Sequence, residues 1–170
     1  MMRCRTHETS TNTPMTRHSR MQPLVAILAL TLGIPCAHEL NAQATDEAEI
    51  RRVIADYYLE GRRQADSTVL GRAFLLGNAH MFYVRDDTLA DVPIPTYVNR
   101  IASARNDPTW KAGERSKARI TLIDITGNAA MAKVEDIGSD ATVVDYMILM
   151  KVRGHWKIAS KAFDRTALTR

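Results

Sequence analysis

The segment from Arg119 to Phe163 limits the possible folds of this chain more than any other part. It reads Arg-Ile-Thr-Leu-Ile-Asp-Ile-Thr-Gly-Asn-Ala-Ala-Met-Ala-Lys-Val-Glu, and later Asp-Tyr-Met-Ile-Leu-Met-Lys-Val-Arg-Gly-His-Trp-Lys-Ile. Strands are expected at 117–126, 129–137, 141–153 and 155–163, separated by Gly127-Asn128, Gly138-Ser139-Asp140 and Arg153-Gly154. Strands this closely spaced, after an N-terminal half of helical character, point to one antiparallel sheet with helices on one side, an α+β fold.

The N-terminal half supplies the helices. Ile50, Val53, Ile54, Tyr57, Tyr58 and Gly61 recur at helical spacing, so Asp46 to Arg63 reads as a helix with one apolar face. Asp46 and Glu49 resemble a capping box, and Gly61 suits an exit. Asp66 or Ser67 caps a short second helix to Phe74. Ala79–Val84 suits a strand, with an Asp86-Asp87 turn and a partner at Thr88–Val92. After Pro93 and Pro95 a third helix presents Tyr97, Val98 and Ile101, and Asn106-Asp107-Pro108 ends it.

Residues 24–34 form an apolar run preceded by Arg17, His18 and Arg20 and followed by Ala42-Gln43-Ala44. These are the parts of a secretory signal peptide. The run is shorter than the roughly 20 residues that span a bilayer. Residues 1–44 are therefore expected to be a polar extension and signal peptide, cleaved after Ala44, with Met15 the favoured start among Met1, Met2, Met15 and Met21. Residues 45–170 would be the exported domain, periplasmic or secreted, with no stable membrane anchor. Pro35 before Cys36 argues against a lipid anchor there.

Cys4 and Cys36 both lie in the leader, so disulfide, thiolate and cysteine-metal chemistry is excluded from residues 45–170. The leader holds 4 of the 23 Lys+Arg and 2 of the 19 Asp+Glu, which leaves the domain at +2. So small a charge argues against a nucleic-acid binder. Arg51-Arg52 and Arg62-Arg63 read as solvated helix positions. His80 and His155 are the domain's two histidines, too few for a histidine metal centre, and no metal or other cofactor is expected. No serine-nucleophile, phosphate-loop or dinucleotide motif is present.

Helix, helix, strands, helix and a run of long strands resemble the nuclear-transport-factor-2-like cone. Tyr58-x7-Asp66-x7-Phe74 is similar to that superfamily's opening pattern. Gly127-Asn-Ala-Ala-Met-Ala-Lys-Val134, Asp145-Tyr146 and Gly154-His-Trp156-Lys-Ile158, with Lys161 and Phe163, resemble its "putative lumazine-binding" branch, close to the polyketide-cyclase-like (SnoaL-like) group. The resemblance covers about 47–165 and implies a cone-shaped curved antiparallel sheet with about three helices on its concave face. In ketosteroid isomerase, a relative, a tyrosine, a base carboxylate and a protonated acid do the chemistry. Here the tyrosine falls at Tyr58, but the base position falls at Phe82 or Tyr83 and the second acid near Ile148, none of them a carboxylate.

The pocket candidates are Tyr58, His80, Phe82, Trp110 and Tyr146. Each has a plainer alternative. Tyr58 and Tyr146 also suit core tyrosines, Phe82 simple packing, His80 a polar strand position, and Trp110 packing under its own loop. Asp145 reads either as a cross-sheet partner of Lys133, Lys151 or Lys161 or as a pocket acid. Glu135 and Asp136 end a strand and read as solvated. In strand 141–153 both faces are largely apolar: Val144, Tyr146, Ile148 and Met150 on one, Val143, Asp145, Met147 and Leu149 on the other. The Tyr146 face is assigned to the helices and the Asp145 face to a second copy of the chain, making a homodimer. Three functions follow in order: non-catalytic binding of a small apolar or aromatic molecule in an aromatic-lined cavity, or an accessory role; a cyclase, isomerase or dehydratase using one acid–base pair; and a structural dimerisation module with a filled core, which a cavity separates from the other two. A carboxylate or histidine within hydrogen-bond reach of Tyr58 or Tyr146 separates the second from the first.

Overall fold

Tight turns set the frame of the sheet. Asp86 and Asp87 (φ 50° and 56°) and Arg153 and Gly154 (φ 51° and 80°) place both central residues in the left-handed region, the backbone form of type I′ hairpins. Arg85 accordingly pairs with Thr88, and Val152 with His155. In the computed structural model, residues 37–110, 112, 117–138 and 141–168 are described. The apolar run 24–34, both cysteines, and Ser139 and Asp140 of the expected Gly138-Ser139-Asp140 turn lie outside them.

Six strands form one curved open sheet: β1 His80–Arg85, β2 Thr88–Pro93, β3 Arg119–Thr126, β4 Ala129–Ile137, β5 Ala141–Val152 and β6 His155–Ala167, in the order β2-β1-β6-β5-β4-β3. The expected strands and the α+β class stand. The sheet is mixed rather than wholly antiparallel, because β1 runs parallel to β6 over His80–Phe82 and Ser160–Ala162. These strands are far apart in sequence, so no hairpin dictates their direction.

The first helical stretch is longer than expected. It runs as α1 Ala37–Arg52, a π-helical segment Val53–Leu59, and α2 Glu60–Arg63. Because the helix continues upstream of Asp46, the expected capping box does not form. The Asp46 carboxylate instead accepts from Lys151 Nζ at 2.6 Å, and Glu49 accepts from the Trp156 backbone N–H at 3.4 Å, tying the helix to the β5–β6 hairpin. Gly61 is not an exit either. A Cβ there would lie 2.5 Å from the Leu70 backbone N, so Gly61 is where this helix meets α3, Ser67–Gly71. Asp66 caps α3 as expected, its side chain accepting from the N–H groups of Thr68 and Val69. The chain then lies along β6, with Ile158 N–H on Ala73 O at 2.8 Å and Leu75 N–H on Ile158 O at 3.0 Å. α4, Ile94–Ser103, buries Tyr97 and Val98. Among the described residues no helix is long and apolar enough to cross a membrane.

Two details of the sheet decide where side chains point. In β5 the expected alternation holds but the faces are reversed: Asp145, Met147 and Leu149 are buried, whereas Tyr146, Ile148 and Met150 are exposed. Alternation shows which residues share a face, and two apolar sets leave open which set the helices cover. In β6 the register against β5 shifts, Ile148 pairing with Ser160 and Leu149 with Ile158, so Ala159 is an extra residue, a β-bulge. Trp156 and Ile158 before it and Lys161 after it therefore share the buried face.

Candidate functional site

The bulge and the π-helical segment bring three side chains to one point. Tyr58 comes from the π-helical segment, Asp145 from β5 and Lys161 from β6. Tyr58 Oη donates to Asp145 Oδ2 at 2.7 Å. Lys161 Nζ donates to Tyr58 Oη and to Asp145 Oδ1, both at 2.6 Å. Tyr58 and Asp145 are 0% exposed and Lys161 is 3% exposed. The Lys161 ammonium also sits over three rings, 5.0 Å from the centroid of Tyr58, 5.6 Å from Tyr97 and 4.9 Å from Phe163. Phe74 packs edge-on against Tyr58 and Tyr97 at 5.9 and 6.4 Å.

Arg62 covers this triad. Its guanidinium lies 5.3 Å over the Tyr58 ring, and its Nη1 is 3.5 Å from Tyr58 Oη and 3.4 Å from Asp136 Oδ2. Both contacts are at the long end of hydrogen bonding, and the Arg62 side chain is 28% exposed. Burial in this environment pushes the Lys161 ammonium down to about 8, with Asp145 opposing the shift. Burial likewise raises the Tyr58 phenol well above its ordinary value. A phenol that keeps its proton, a carboxylate and an amine poised near neutrality can hold, give and take protons at one place.

Of the five candidates read from sequence, Tyr58 alone is in this cluster. Tyr146 lies on the opposite face of the sheet and is 49% exposed, with the Lys133 ammonium 5.8 Å above its ring. His80 and Phe82 alternate with the buried Met81; their rings stack at 6.2 Å, and His80 Nδ1 bonds Asp91 Oδ1 at 2.6 Å. Trp110 is partly buried in its loop, with the Arg105 guanidinium 5.4 Å from its ring. The bond between Asp145 and Lys161 is the cross-sheet pairing considered for that aspartate, made on the buried face. Lys161, Arg62, Asp136 and Tyr97 were not among the expected site residues. Among the described residues, no group of three His, Cys, Asp or Glu side chains could hold a metal ion.

A helix-backed, curved, six-stranded sheet with a polar cluster buried between sheet and helices defines a cone-fold protein. A family model described as "Putative lumazine-binding" matches residues 45–164, and the chain belongs to that family, within the nuclear-transport-factor-2-like superfamily. It is similar to an NTF2-like protein of unknown function from Shewanella baltica OS155, at 30% identity over 72% of this chain and 95% of that one, with a TM-score of 0.63. An NTF2-like protein of unknown function from Methylobacillus flagellatus KT is 29% identical over 72% and 94%, with a TM-score of 0.60. A "putative dehydratase" from Streptomyces avermitilis shares the fold, at 12% identity over 72% and 97%, with a TM-score of 0.51. No curated protein matches the chain.

Proposed function

We propose that the Tyr58–Asp145–Lys161 cluster is the polar end of a small-molecule site and works by general acid–base chemistry, in an enzyme of the cyclase, isomerase or dehydratase kind. The observation that carries this reading is the Asp145 carboxylate 2.7 Å from Tyr58 Oη. A carboxylate within hydrogen-bond reach of Tyr58 supports an acid–base enzyme over a simple binder. Asp145 is the acceptor that takes a proton from a ligand C–H, and Tyr58 is the donor that stabilises the resulting oxyanion. The aromatic rings around the cluster exclude water and favour an apolar or aromatic ligand body.

The test uses protein purified from its own host. Native mass spectrometry finds a retained ligand, and incubation in D2O exchanges that ligand's acidic hydrogen with the wild type but not with Asp145→Asn. A ligand that is retained but never exchanged would return the site to non-catalytic binding.

Two further expectations belong to this reading. The protein is exported after cleavage at Ala44, so N-terminal sequencing of the exported form begins at Thr45. It pairs with a second copy through the sheet face that carries Tyr146, Ile148 and Met150, which leaves the helix-covered site free in each protomer.

A further inference from the structure

Resting on the reading of this cluster as a small-molecule site, we propose that Lys161 is its nucleophile. The Lys161 Nζ, held 2.6 Å from both Tyr58 Oη and Asp145 Oδ1, captures an aldehyde or ketone ligand as an imine. Such a step needs an amine, a group to take its proton and a second group to move protons on the ligand oxygen, and all three meet at this point.

The steps balance. Asp145 takes one proton from the Lys161 ammonium. The freed nitrogen lone pair forms the C–N bond as the carbonyl π pair moves to oxygen. Tyr58 gives its proton to that oxygen and regains one from the nitrogen, leaving a carbinolamine. The C–O bond then breaks, the hydroxyl leaves with the proton held by Asp145 as water, and a protonated imine remains. The net reaction is ammonium plus carbonyl giving iminium plus water, with no oxidant or reductant.

Burial supports this independently, because an amine pushed down to about 8 carries a far larger neutral fraction at pH 7 than an ordinary lysine. Ion pairing alone does not require the three rings around Nζ, whereas the body of an aromatic carbonyl compound packs against such rings. Entry is through Arg62, whose two long contacts and partial exposure make its side chain the part that swings aside. The π-helical segment that carries Tyr58 agrees with this, since such segments are frequent at functional sites.

The experiment incubates the full chain at pH 7.5 with benzaldehyde and sodium cyanoborohydride, followed by peptide mapping. Lys161 should be reductively benzylated at least about tenfold faster than the exposed Lys117. Lys161→Arg, checked for folding by circular dichroism, should lose this fast labelling while Lys117 labels as before. Tyr58→Phe should slow Lys161 without changing Lys117. Labelling of Lys161 no faster than Lys117, in protein stripped of the ligand that native mass spectrometry first shows it to hold, overturns the imine and leaves the small-molecule site standing. Slow labelling in protein that holds no ligand overturns both.

Discussion

At the residue scale the cluster behaves as a unit, because each member removes the desolvation problem of another. Asp145→Ala would leave the Lys161 ammonium buried without its counter-charge and should cost about 3–5 kcal/mol of unfolding free energy, measured by urea titration. The double change Asp145→Leu with Lys161→Met removes both charges together and should recover most of that loss. Stability should also depend on pH in a direction opposite to that of most ion pairs. The groups facing Lys161 are Tyr58, Arg62, Tyr97, Asp145 and Asp136. Between about pH 8 and its unfolded value, Lys161 has lost its proton in the folded chain but keeps it in the unfolded one. The unfolded state then binds more protons, so stability rises with pH across that window. Above about pH 10 the raised Tyr58 phenol works the other way, because the unfolded tyrosine ionises first. Urea midpoints at pH 7, 8 and 9.5 should therefore increase in order, and Lys161→Met should flatten the rise.

At the element scale the contact between α2 and α3 depends on one missing atom group. Gly61→Ala would drive a Cβ against the backbone N and Cα of Leu70 at 2.5 and 2.7 Å, where no side-chain rotation gives relief. A loss of about 1–3 kcal/mol is expected from such overpacking, read as a lowered Tm in calorimetry. Elements of this kind were legible in the sequence to different degrees. The strands followed from alternation and turn residues, although β3 starts at Arg119 and β6 runs past the expected end at Phe163 to Ala167, and the Asp66 cap followed from its side-chain chemistry. The helix start did not, because Asp46 and Glu49 look the same whether they cap a helix or reach across to Lys151 and Trp156. Lys161 was hidden for a similar reason. Regular alternation in β6 puts it opposite Trp156 and Ile158, and nothing about Ala159 marks it as the residue that breaks the count.

At the scale of the whole molecule, the fold was readable and half of the candidate site was not. Tyr58 could be found because a helical face repeats visibly. Asp145 could be placed on a strand but not on a side, since both sides of β5 are apolar. Reversing that assignment moves the expected dimer surface. For the proposed pairing through this face, wild type should sediment as a dimer and Ile148→Lys or Met150→Lys as a monomer, with the unfolding midpoint nearly unchanged. Met147→Lys, by contrast, should unfold the chain outright, because Met147 is fully buried beneath the helices.

The extra residue at Ala159 has a consequence for comparing relatives. A gapless alignment of β6 with a strand that lacks the bulge would match Lys161 to a side chain on the outer face and report the lysine as replaced. With a one-residue gap after Ile158, the same pair of sequences would report it as kept. Any account of which cone proteins share this buried amine therefore has to count strand positions from the hairpin turn at Gly154 and again from the C-terminal end, and compare lysines only on the second count.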